Sequence, residues 1–81
     1  MFISVQFHGI QRAVTQTNGI RVPILRDGLV RDVFSYVRDA YPDLSLNEKE
    51  VLVSVNNKVK TMDHTLNPDD KITFLPHIGG G

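Results

Sequence analysis

The chain has 81 residues, enough for one domain with a modest core and too few for two. Hydrophobic residues make up 41% of it, which excludes a disordered chain, and nine basic residues balance nine acidic ones, which excludes the strong basic field of a nucleic-acid or acidic-membrane binder. Cysteine is absent, so disulfides, thiolate metal sites and any group carried on a thiol of this chain are excluded too.

The opening segment "MFISVQFH" alternates, with Ile3, Val5 and Phe7 on one face and Ser4, Gln6 and His8 on the other, the period of a strand with one face on a core. "GIQRAVTQTNG" is polar and bracketed by glycines, and reads as a loop closed by an Asn18-Gly19 turn. "IRVPIL" predicts a second strand with Ile20, Val22 and Ile24 inward; Pro23 cannot donate to a ladder, which puts this strand at a sheet edge. In "RDGLVRDVFSYVRDAYPD" the period changes. Val30, Val33, Phe34, Val37 and Tyr41 form one stripe of a helix, Asp27 is the expected cap, and Pro42 ends it. "LSLNEKE" is a connection. "VLVSVNNK" predicts a third strand with Val51, Val53 and Val55 on one face, then a tight Asn56-Asn57 turn into a short strand around Val59. "TMDHTLNPDD" reads as loop, with Pro68 and Asp69-Asp70 as turn formers. "KITFLP" is the last strand, with Ile72 and Phe74 inward and Pro76 ending the ladder. This order predicts an α+β fold in which one main helix covers one face of a small mixed sheet, the last strand pairing in parallel with the first. The core expected from it is Val22, Val33, Phe34, Val37, Val53, Val55, Ile72 and Phe74.

Side-chain chemistry is sparse. His8, His64 and His77 have no metal-ligand spacing, and no metal site is expected. Asp69 and Asp70 are adjacent on an extended chain and diverge, so they read as a turn rather than an acid–base pair. No nucleophile elbow or Walker lysine occurs. No apolar run has the length of a membrane span, and "MFISVQFHG" lacks the layout of a signal peptide, so a cytoplasmic location without membrane contact is expected. The remaining feature is the end, "LPHIGGG". Glycines without Cβ atoms fit a narrow channel and leave a terminal carboxylate without steric cover. Residues 1–76 are expected to form the domain and 77–81 a flexible tail.

"VSVNNKVKTMDHTLNPDDKITFLPHIGGG" resembles the C-terminal half of the MoaD/ThiS family of β-grasp sulfur carriers, most closely the small subunit of molybdopterin synthase. The shared pattern is a strand ending V-N, a short second strand, a D-H-x-L loop, a D-D turn and a strand running F-x-P before terminal glycines. The sequence departs from it where His77 follows Pro76 in place of a second proline, and where Gly79 precedes the diglycine. The resemblance implies a ubiquitin-like β-grasp fold. It also implies a carrier that is not itself an enzyme and binds no cofactor. By it, an E1-like enzyme using ATP and magnesium adenylates the carboxylate of Gly81, the carbonyl then receives sulfur as a thiocarboxylate, and Gly79 and Gly80 form the threading tail. A carboxylate is a poor electrophile, so activation must come first; with no cysteine, the C-terminus is where this chain could carry sulfur in that form.

The implied partners are the E1-like enzyme and the large subunit of molybdopterin synthase or another sulfur acceptor. Leu75 should lie opposite Phe74 in the last strand, beside Leu52 and Met62. With Pro76, His77 and Ile78 these are the expected partner-binding residues. Three alternatives stay open: a carrier for thiamine or amino-acid biosynthesis, a ubiquitin-like modifier joined to proteins through Gly81, and a β-grasp interaction module with incidental glycines.

Overall fold

The computed structural model describes residues 1–75. Its elements in chain order are β1 (Phe2–Gln6), α1 (Ile10–Thr15), β2 (Gly19–Pro23), α2 (Val30–Ala40), a 3₁₀ turn (Pro42–Leu44), β3 (Leu52–Val55), β4 (Lys58–Lys60) and β5 (Lys71–Leu75). The strands form a five-stranded mixed sheet in the order β2-β1-β5-β3-β4. β1 and β5 pair in parallel at its centre, as the order of elements predicts, and the other neighbours are antiparallel.

Alternation along the strands sends Ile3, Val5, Val22, Val53, Val55, Ile72 and Phe74 to one face, where Val30, Val33, Phe34 and Val37 of α2 meet them; every one is buried. The eight expected core residues are all in this cluster, joined by Phe7 and Leu66. Phe34 and Phe74 meet edge to face at 5.9 Å, and Phe7 meets Tyr41 the same way at 5.7 Å, the geometry that ring quadrupoles favour.

β2 is an edge strand, and Pro23 is tolerated there for the expected reason. Asn18 O and Ile24 N bond toward β1, so the even positions face the ladder and Pro23 faces outward. Gly19 begins the strand because a Cβ there would stand 2.5 Å from the carbonyl oxygen of Val5. Asn56 and Asn57 both have positive φ, 51° and 72°, and make the two-residue turn between β3 and β4.

Two expectations are corrected. The segment taken as a polar loop contains α1. Gly9 turns into it at φ 53° and Gln16 leaves it in the left-handed region, yet none of its residues is buried. A helix with no buried stripe leaves no period in the sequence, which is why it was not legible. The second correction concerns the start of α2. Asp27 does not cap it; Leu29 is the N-cap, and Asp27 sits before it at φ 65°. Asp32 Oδ2 instead accepts from the Leu29 N–H at 2.8 Å, while Val30 N–H and Arg31 N–H donate to the carbonyls of His64 and Met62. The helix is thus capped by a loop some thirty positions away in sequence. Arg31 ties the same region together through Glu48 and Asp63, and the hydrogen bonds to Asp63 first and Glu48 next hold its guanidinium above its ordinary pKa.

Asp70 is more than a turn former. It is buried, its Oδ2 accepts from Asn67 N–H at 2.8 Å and its Oδ1 from Asn56 Nδ2 at 2.9 Å, while Asn56 Oδ1 accepts from Lys71 N–H at 3.0 Å. These bonds join the β3–β4 turn to the start of β5. Replacing Asp70 by alanine should therefore cost about 1–3 kcal/mol, because two part-buried hydrogen bonds to its carboxylate are lost. Urea unfolding checks this, and an unchanged midpoint would contradict it.

Candidate docking face and the root of the C-terminal segment

The face of the sheet away from α2 is set by the same alternation. With Val53, Val55, Ile72 and Phe74 inward, Leu52, Ser54, Thr73 and Leu75 point outward. The antiparallel register puts Leu52 directly opposite Leu75 and Ser54 opposite both Thr73 and Val59. Leu52, Val59 and Leu75 are 50%, 60% and 38% exposed. They form an apolar patch at the end of the sheet where β5 finishes, one residue before the segment 76–81.

Leu52 and Leu75 lie on the outer face as the alternation predicts, and the β3–β5 register makes them a cross-strand pair. Met62 is placed differently. It lies in the loop that caps α2, half-buried against the core, and borders Leu52 only through a shallow depression of about 330 Å³ shared with Val59 and Lys60. Pro76, His77, Ile78, Gly79, Gly80 and Gly81, with the boundary proposed at residue 76, lie outside the described residues. Val59 belongs to the patch but was not singled out in the sequence. The Asn56-Asn57 turn fixes Val55 opposite Lys58, which already places Val59 opposite Ser54 on the outer face.

An open groove of about 650 Å³ lies at the same end of the sheet. Ile10 and Val14 of α1 form one wall, Leu44, Leu46 and Val51 another, and Phe74 and Leu75 the inner end. Gln11 lines it as well. Its Nε2 donates to the Phe74 carbonyl at 2.8 Å, across 63 positions of sequence. Its Oε1 is buried and meets no donor among the described residues. Sequence reasoning missed Gln11 because it had no reason to fold the 9–16 segment against β5.

Among the described residues no three His, Asp or Glu side chains gather where they could hold a metal ion, and no helix is long and apolar enough to cross a membrane. What the region offers is an apolar contact surface at the paired end of β5.

The fold is shared with solved proteins. SAMP1 from Haloferax volcanii superposes with a TM-score of 0.83 at 17% identity, each chain covered in full. The Haloferax volcanii HVO 2177 protein gives 0.83 at 23% identity, over all of this chain and 87% of that one. A putative molybdopterin converting factor, subunit 1, from Pyrococcus furiosus gives 0.82 at 15% identity, over 95% and 98%. No curated protein matches the sequence. The ThiS family model matches residues 5–81, nearly the whole chain and its three terminal glycines included. With the ubiquitin-like β-grasp architecture in place, the chain belongs to the ThiS family, a family of small β-grasp sulfur carriers.

Proposed function

We propose that this chain is a non-catalytic sulfur carrier whose reactive group is the carboxylate of Gly81. The observation that carries the reading is the family match that runs to Gly81 itself, on a chain without a single cysteine. The carboxylate attacks the α-phosphorus of ATP, held with magnesium by an E1-like enzyme, and pyrophosphate leaves. A hydrosulfide-level sulfur donor then attacks the acyl adenylate, AMP leaves with its electron pair, and one proton is released. The product thiocarboxylate is anionic and nucleophilic, suited to hand sulfur to an acceptor enzyme. Gly79 and Gly80 let the chain thread to the reacting carbonyl, and Leu52, Val59 and Leu75, with Pro76, His77 and Ile78 beyond them, supply the contact surface.

The test is direct. The intact chain, incubated with its E1-like enzyme, ATP, magnesium and a sulfide donor, should gain the mass of one sulfur less one oxygen. A chain that is never adenylated would overturn the reading. The acceptor we favour is the large subunit of molybdopterin synthase, supported by the pattern from Val53 to Gly81 and by the likeness to a molybdopterin converting factor subunit. Presenting the thiocarboxylate in turn to acceptor enzymes of molybdopterin, thiamine and amino-acid synthesis identifies the right one by sulfur transfer.

The likeness to SAMP1, a small archaeal modifier protein, favours a second reading, conjugation of Gly81 to protein amines. A ladder of larger species in lysate that vanishes on Gly81 deletion would support it, and both roles share the same adenylation step.

The docking face gives a separate expectation. Leu52→Asp should leave the unfolding midpoint nearly unchanged, because half of the side chain is already in water. It should weaken binding to the E1-like enzyme by about 1–3 kcal/mol, since a charge then faces an apolar contact. Titration calorimetry measures the loss, and unchanged affinity would remove Leu52 from the interface.

A further inference from the structure

We propose that Gln11 is a positioning residue for the reaction at Gly81: its side-chain amide replaces the strand neighbour that β5 lacks at Phe74, and so fixes the carbonyl that lies just before the segment leading to Gly81. This role rests on the carrier reading above.

The argument starts from register. β1 and β5 pair as Ser4↔Lys71, Val5↔Ile72 and Gln6↔Thr73, and Ser4 N–H donates to the Asp70 carbonyl. The even positions of β5 therefore turn their N–H and C=O groups toward β1, while Lys71, an odd position, bonds Asn56 on the β3 side. After Gln6 the first strand ends, and Gly9 swings the chain into α1. On the other side β3 stays paired as far as Leu52↔Leu75. Phe74 thus has a neighbour strand on one side only, and its carbonyl, an even position, points where β1 no longer runs.

Gln11 fills that place. A primary amide carries donor and acceptor on one carbon, so it can pair with the C=O of one strand residue and the N–H of the residue two further on. The donor half is made, Nε2 to Phe74 O at 2.8 Å. The acceptor half would take the N–H of residue 76, the next even position, and residue 76 is proline. Oε1 is buried and meets no donor among the described residues. Gln11 thus stands in for β1 at the Phe74 carbonyl, and the sequence places no backbone N–H at position 76. The six residues 76–81 would reach about 20 Å if drawn out into an enzyme's active site. Fixing the Phe74 carbonyl lowers the ordering cost when the enzyme takes up that segment, a cost that falls on binding rather than on the chemical step.

Gln11→Leu, Pro76→Ala and the double variant, each in the full chain, test this with two readouts. The first is the urea midpoint. Pro76→Ala restores an N–H for Oε1, so it should be more favourable with Gln11 present than in the Gln11→Leu background. The loss of proline's rigidity in the unfolded chain is common to both and cancels. Equal effects in the two backgrounds would overturn the pairing. The second readout is adenylation by the E1-like enzyme, followed as pyrophosphate exchange against carrier concentration. Gln11→Leu should raise KM for the carrier about two- to tenfold, the worth of one hydrogen bond, with kcat within about twofold. An unchanged KM would overturn the positioning role. If Gln11→Leu does not fold, Gln11→Glu, which keeps the size and loses the donor, must show the same rise. If the unaltered chain is not adenylated at all, the carrier reading falls and the positioning role with it, while the midpoint cycle still decides the pairing.

Discussion

Deletion of Gly81 should reduce adenylation by the E1-like enzyme more than about a hundredfold while leaving the unfolding midpoint unchanged. The deletion leaves a carboxylate at the end of the chain, but draws it back by about 3.5 Å, one residue of extended backbone. In-line attack on the α-phosphorus of ATP tolerates far less displacement than that, since a misplacement of about 1 Å already costs on the order of a hundredfold. Replacing Gly80 by leucine should act as strongly for a different reason. The carboxylate keeps its reach, but a Cβ and its substituents must enter a channel shaped around bare backbone. Both changes lie beyond the last core strand, and Phe74, the last buried residue described, keeps its packing. Pyrophosphate exchange measures the loss, and near-normal exchange by the deletion variant would exclude Gly81 as the reacting residue.

Truncation of Phe34 or Phe74 to alanine should destabilise the fold by about 3–5 kcal/mol each. Both rings are fully buried and meet edge to face at the centre of the helix–sheet interface. Each deletion removes the transfer energy of a phenyl ring and leaves a cavity that the strands cannot close without breaking register. Against a total of about 4–12 kcal/mol for a domain of this length, either change threatens the folded state. The double variant should cost less than the sum, because the two rings contact each other. Urea unfolding decides this, and unchanged midpoints would refute the core assignment. Phe74→Ala carries an added consequence, since the same residue offers its carbonyl to Gln11 and fixes Leu75 on the opposite face.

Most of the core was legible because it rests on short periods. Ile3, Val5 and Phe7 alternate; Val30, Val33, Phe34 and Val37 recur at helical spacing; and burial follows from those intervals whatever the partner element is. Pro23 marked an edge and Asn56-Asn57 a hairpin because backbone conformation at those positions is a local property. The terminal glycines, the missing cysteines and the F-x-P strand before them were likewise readable one residue at a time, and they carry the functional reading.

Other features depend on residues far apart in the chain. The cap of α2 is made by His64 and Met62 carbonyls, so Asp27 looked like the cap only while that loop had no position. α1 fully buries none of its residues and has no apolar period to detect; Gln11, which holds it to Phe74, sits 63 positions from its partner. Leu52 and Leu75 could be assigned a face from their own strands, but only pairing made them neighbours, and Met62, partly buried against the core, lines a depression with Leu52 and Val59. By itself the sequence determined which faces of the main helix and the strands turn inward and where the β3–β4 hairpin turns, because these follow from local spacing and residue type. Tertiary structure alone decided which carbonyls cap the main helix and which side chain meets the Phe74 carbonyl, because a hydrogen bond between distant segments leaves no local trace in either of them.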